Sequence, residues 1–124
     1  IMDFKSEILN KIIDVTSNAA VSCYPFLGKK NKDLADKAAT DEMRKKLNSL
    51  DINGKIVIGE GELDESPMLY IGERLGTGKG PTVDIAVDPV EGTNFAANNL
   101  PGALSVLAIS MKGNLFNAPR NLYE

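Results

Sequence analysis

Through the first fifty residues the apolar side chains return every three or four positions, and from residue 55 they gather in short runs instead. A chain whose period changes this way is constrained to lay helices against a sheet, because each period buries a different surface. The first stripe is Phe4, Ile8, Ile12, Val15, Ala19 and Cys23, widened by Leu9, Ile13 and Ala20. It predicts a helix from Asp3, a plausible N-cap, to about Tyr24, stopped or kinked by Pro25. The second, Ala35, Ala39, Met43, Leu47 and Leu50, predicts a helix opening near Asp33. After the turn residues Asp51-Ile52-Asn53-Gly54, strands are expected at Lys55 to Ile58, Val83 to Val87 and Ala103 to Ile109.

Between the first two strands, Ser66-Pro67 reads as an N-cap with proline at the first helical position. MLYIGERLG could then be helical or extended. The stretch Gly76-Thr77-Gly78-Lys79-Gly80-Pro81 has neither P-loop nor GxGxxG spacing and reads as a flexible hairpin connection. A short helix is expected from about Gly92, and Met111-Lys112-Gly113-Asn114 as a hairpin turn into Leu115 and Phe116. The order predicts one domain over residues 1–124 of α+β or layered α/β/α class, helices packed on a mostly antiparallel or mixed sheet.

Composition narrows the chemistry. The net charge is −3 and no basic, aromatic-rich face is legible, which argues against nucleic acid as a partner. No run approaches the ~20 apolar residues of a membrane span, so no membrane partner is expected. IMDFKSEILNK lacks the features of a secretory leader, and a cytoplasmic protein is the expectation. Lys29-Lys30-Asn31-Lys32 reads as a solvated loop. The single cysteine, Cys23, falls in the helical stripe and reads as a small core residue. There is no histidine, so histidine-based triads and zinc sites are excluded within this chain. Carboxylates, hydroxyls, lysines and an oxygen-bound hard cation remain.

Those carboxylates are patterned. In DIAVDPVEGTN an apolar strand runs into Asp88 and Glu91, which bracket Pro89 and raise each other's pKa unless a cation lies near them. Glu60 stands at another strand end between two glycines that would let backbone and ligand approach closely. Asp36 stands in the first turn of the second helix. Taken singly, Asp36, Glu62 and Asp64 are ordinary surface charge, and DPVEGT is a capped turn. What surface charge does not explain is four acids gathered at two strand ends and a helix start. With the Val90 carbonyl as a further oxygen and the Thr93 hydroxyl nearby, the set suits Mg²⁺ or Mn²⁺.

IVIGEGELDESPMLYIGERLGTGKGPTVDIAVDPVEGTN resembles the class II fructose-1,6-bisphosphatase family. DPVEGT resembles the D-P-x-[DE]-G-[TS] motif of the wider lithium-sensitive, metal-dependent sugar and inositol phosphatases. The resemblance runs from LGKKNKDLAD through NAP. It implies two metal ions, Mn²⁺ or Mg²⁺, on Asp36, Glu60, Asp88 and Glu91. It implies substrate contacts from Glu91, Gly92 and Thr93, with Thr93 orienting the attacking water, and places Lys32 and Asp64 near the site, Asp64 in a catalytic role. The implied reaction is hydrolysis of the 1-phosphate of fructose 1,6-bisphosphate to fructose 6-phosphate, a gluconeogenic step. Sedoheptulose-bisphosphate or inositol-phosphate hydrolysis, or a non-catalytic metal-binding module, are the alternatives. The family's substrate-binding tyrosine follows N-A-P; in NAPRNLYE, Tyr123 stands one residue late and Leu122 holds its place. The chain is less than half a full family member. Alone it is expected to be the metal-binding N-terminal part and inactive, with a homo-oligomer expected at full length.

Overall fold

The computed structural model describes residues 6–61 and 68–119. Helix α1 spans Ser6–Cys23, a 3₁₀ turn spans Tyr24–Phe26, and α2 spans Lys32–Asn48. Strand β1 is Asn53–Ile58, β2 Arg74–Leu75, β3 Thr82–Glu91 and β4 Leu104–Met111, with a short helix α3 at Thr93–Ala97. The central line of each predicted stripe is buried: Val15, Ala19 and Cys23 of α1 and Ala35, Ala39, Met43 and Leu47 of α2 pack into the core. Ile8 and Ile12 are half-buried, whereas Leu9, Ile13 and Ala20, expected to widen the first stripe, are exposed. Cys23 is part of that packing, its thiol donating to the Ala35 carbonyl at 3.2 Å. No helix is long and apolar enough to cross a membrane among the described residues.

The sheet is mixed, in the order β2-β1-β3-β4, with β1 parallel to β3 and both outer pairings antiparallel. Ile56, Val83, Ile85 and Val87 turn one face to the helices and join their core. Among the described residues no helix covers the other face, where Ile58 and Val106 are exposed. The described chain is therefore an α+β arrangement of two layers rather than three.

Three local expectations change. The glycine-rich stretch is not a hairpin, because its flanking strands β2 and β3 lie on opposite sides of β1. It crosses over the 50–52 turn and is fastened there, Thr77 N–H donating to the Leu50 carbonyl at 2.9 Å and Gly78 N–H to Ile52 at 3.0 Å. Gly80 has φ +87°, and a Cβ there would stand 2.1 Å from the Asp51 carbonyl oxygen. Gly80→Ala therefore combines left-handed strain with a backbone clash and should cost about 2 kcal/mol or more. A thermal melt unchanged from the parent would contradict it.

Residues 68–75 contain no helix: a turn at Ile71-Gly72, closed by Glu73 N–H on the Tyr70 carbonyl at 3.1 Å, leads into β2, while Ser66-Pro67 lies outside the described residues, as do Asp3 and Phe4. Arg44 holds this segment, its guanidinium bonding the nearly buried Glu73 carboxylate at 3.0–3.1 Å and the Met68 carbonyl at 2.6 Å. The turn after β4 forms, Asn114 N–H reaching the Met111 carbonyl at 3.1 Å, but no strand follows Met111 among the described residues.

The third change concerns DPVE. It is not a turn after a strand but the last part of β3. Asp88 pairs with Val106 and Glu91 with Leu104, so three steps along β3 match two along β4. That surplus residue is a bulge, and Pro89, which has no N–H for a regular ladder, is tolerated there. Side chains alternate faces along a strand, so acids three apart would point to opposite sides. The bulge restores parity and sets Asp88 and Glu91 opposite residues that share one face of β4.

Candidate functional site

Parallel pairing decides where the acids meet. Because β1 and β3 run the same way, their C-terminal ends lie side by side, and Glu60 just past β1 faces Asp88 near the end of β3. Open sheets bind ligands at such ends. The first turn of α2 comes over the same edge. A cavity of about 290 Å³ results, lined by Lys32, Asp33, Asp36, Glu60, Asp88, Val90 and Thr93.

Local chemistry fixes each position. Asn31 caps α2, its side-chain oxygen accepting from Leu34 N–H at 3.2 Å. The preceding loop is tied to the end of α3, Gly28 N–H donating to the Ala96 carbonyl at 3.0 Å and Lys30 N–H to Ala97 at 2.8 Å. The lysine-rich loop is thus anchored rather than freely solvated, and its last lysine, Lys32, lines the cavity. Glu60 N–H bonds the Leu69 carbonyl at 2.9 Å. A Cβ at Gly59 would lie 2.4 Å from that same carbonyl oxygen. The glycine before Glu60 therefore admits the chain's own backbone, not a ligand. Gly92 has φ +80° and opens α3, placing Thr93 at its first position.

The electrostatics are those of negative charge crowded out of water. Burial, then the charges of Asp36 and Asp88, push the Glu60 carboxyl up to about 7. Burial and then the adjoining Glu91 carboxyl push Asp88 up to about 6. Asp36 is raised by burial and by the charge of Asp33. Asp36 Oδ1 is buried without a hydrogen-bond partner. A buried carboxylate oxygen lacking a donor is costly, and a cation would relieve it. Hard carboxylate oxygens fit Mg²⁺ or Mn²⁺ by chemistry. Among the described residues no three acids already converge on one ion position.

Of the residues singled out from sequence, Asp36, Glu60, Asp88, Thr93 and Lys32 share the cavity wall, with Val90 beside them. Glu91 does not line it but adjoins Asp88. Gly92 lies one residue before the cavity wall. Asp64, Glu62 and Tyr123 fall outside the described residues. Sequence reasoning passed over Asp33, whose charge acts on Asp36, and Thr40, whose hydroxyl donates to Glu60 Oε2 at 3.4 Å. The signal for Thr40 was its place one turn after Asp36, beside the buried stripe.

The family model for bacterial fructose-1,6-bisphosphatase, glpX-encoded, matches residues 6–124. A protein of Synechococcus sp. (strain CC9902) named D-fructose 1,6-bisphosphatase class 2/sedoheptulose 1,7-bisphosphatase is 54% identical over 112 residues, 90% of this chain and 34% of its own. A protein of the same name from Prochlorococcus marinus (strain MIT 9303) is 53% identical over the same coverage. The chain thus spans about a third of the length of these relatives. Among solved structures, an extragenic suppressor from Pyrococcus furiosus superposes with a TM-score of 0.57 at 20% identity, over 86% of this chain and 41% of that one. That likeness speaks to the fold.

Proposed function

The chain belongs to the bacterial, glpX-encoded fructose-1,6-bisphosphatase family, and from that premise we propose that it supplies the carboxylate-rich part of a divalent-cation-dependent sugar-bisphosphatase site. The reaction is hydrolysis of the 1-phosphate of fructose 1,6-bisphosphate, carried out by a protein of the relatives' length. The observation that carries this reading is the shared cavity of Asp36, Glu60 and Asp88, with an unpartnered buried oxygen on Asp36.

Asp36, Glu60, Asp88 and Glu91 would hold two ions, Mg²⁺ or Mn²⁺, with the Val90 carbonyl as a further oxygen. Bound there, such ions neutralise phosphoryl charge and lower the pKa of water. Thr93 accepts a hydrogen bond from the attacking water and turns its lone pair toward phosphorus. The amides of Gly92 and Thr93 donate to phosphate oxygens, and Lys32 adds a positive charge from across the cavity. As the water oxygen bonds to phosphorus, the bond from phosphorus to the sugar oxygen breaks and that oxygen takes a proton. Asp64 keeps the catalytic role that the family resemblance gives it, while Leu122 holds the place of the family's substrate tyrosine and Tyr123, one residue later, is the candidate for that contact. The relatives' double name favours a second substrate, sedoheptulose 1,7-bisphosphate.

The test is a chimera in which this chain replaces the matching segment of the Synechococcus relative, assayed on both bisphosphates with Mn²⁺, Mg²⁺ or chelator. Cation-dependent phosphate release is expected. A folded chimera that cleaves neither sugar would refute the proposal. In the same chimera, Thr93→Ala should lower kcat by about 10²-fold with cation affinity little changed, and Thr93→Ser should retain much more. Equal losses in both would assign Thr93 to packing.

A further inference from the structure

We propose that Thr40 is a positioning residue that orients the Glu60 carboxylate for cation binding, a role that rests on the site reading above. Thr40 lies on α2 one turn beyond Asp36, and at 1% exposure it is among the most buried polar side chains of the described chain. Its hydroxyl donates to Glu60 Oε2 at 3.4 Å across twenty residues of sequence. A helical threonine ordinarily turns its hydroxyl back to the carbonyl one turn earlier in its own helix. Here it reaches out to the neighbouring acid instead.

Geometry makes that contact consequential. Threonine is stiff at χ1, and in a close-packed wall between Ala39 and Met43 the hydroxyl has little freedom. The Glu60 main chain is pinned by the bond from its N–H to Leu69. With the backbone held at one end and one carboxylate oxygen in contact with the Thr40 hydroxyl at the other, the side chain is biased toward Asp36 and Asp88. Asp36 and Thr40 also ride on the same face of one rigid helix. One of the cation's ligands and the group that aims another are therefore set in fixed relation. Outer partners of this kind typically govern metal affinity by 10–100-fold.

The test is a Mn²⁺ titration of the chain, followed by calorimetry and by electron paramagnetic resonance of free Mn²⁺, with a metal-free thermal melt of each variant. Thr40→Val should weaken Mn²⁺ binding by about 10-fold or more while Thr40→Ser stays within about threefold of the parent. Thr40→Ala and Thr40→Ser both lose the methyl group and differ only in the hydroxyl, so that pair gives the answer if the valine variant does not fold. A purely structural threonine would move the metal-free melt and leave Mn²⁺ affinity alone. Equal Mn²⁺ affinity in the alanine and serine variants would overturn the proposal and leave the site reading intact. A parent chain that binds no Mn²⁺ would overturn both.

Discussion

Asp88→Asn should abolish cation-dependent phosphatase turnover in the chimera with the Synechococcus relative, by more than ~10²-fold, which is what loss of an outer-shell partner alone can cost. Asparagine preserves shape and one carbonyl oxygen but removes the charge that a hard divalent ion requires. The position has no substitute nearby. Asp88 lies at the bulged end of β3, where register brings it alongside Glu91 and within reach of the charge on Asp36. The neighbouring acid, Glu91, adjoins Asp88 without lining the cavity, so it adds to the oxygen that Asp88 supplies rather than replacing it. The fold itself should survive, because the substitution removes a carboxylate that burial and two neighbouring acids already disfavour. Folded Asp88→Asn protein with near-parental turnover at saturating Mn²⁺ would remove Asp88 from the site.

Glu60→Gln should act in opposite directions on stability and on metal binding, and pH should reveal it. Glu60 is raised from an ordinary 4.5 to about 7, and Asp88 from 3.8 to about 6. A carboxyl raised on folding binds its proton more tightly in the folded chain. Its contribution to stability is therefore fully present below the ordinary value and is lost as pH rises through the folded value. The metal-free chain should lose stability between about pH 4 and pH 7 from these two groups. Glu60→Gln should raise the metal-free Tm at pH 8 relative to the parent and leave it nearly unchanged at pH 4. Both sites keep substantial solvent contact, so the difference is about 1 kcal/mol after screening, or on the order of 5 °C. Mn²⁺ should restore the parent at pH 8 far better than at pH 5, where protons compete for the ligands, and should do little for Glu60→Gln. A parent and variant with the same Tm at every pH would show that Glu60 is not held in the crowded state described.

Much of this was legible without coordinates because it follows from period and residue type. The stripes of α1 and α2 are buried at Val15, Ala19, Met43 and Leu47, since only one face of each helix is apolar enough to leave water. The absence of histidine and the acids beside strand ends confined the chemistry to oxygen ligands. Asp36, Glu60 and Asp88 were nameable from their motifs, and they do line one cavity.

What sequence could not determine were quantities set by distant pairing. Nothing local to GTGKGP says that its flanking strands sit on either side of β1, because strand order is decided by long-range burial rather than by turn residues. Nothing local to DPVE says that Glu91 keeps the same side as Asp88. Alternation alone predicts the opposite, and only the ladder with β4 shows the surplus residue. Arg44 with Glu73, and Thr40 with Glu60, are contacts across 29 and 20 residues. Arg44, Glu73 and Thr40 are unremarkable in their own windows and acquire their roles from partners brought by packing. The chemistry was thus carried by residue types, which a sequence displays directly. Its geometry was decided by the parallel pairing of β1 with β3, which sets two strand ends and a helix start around one space.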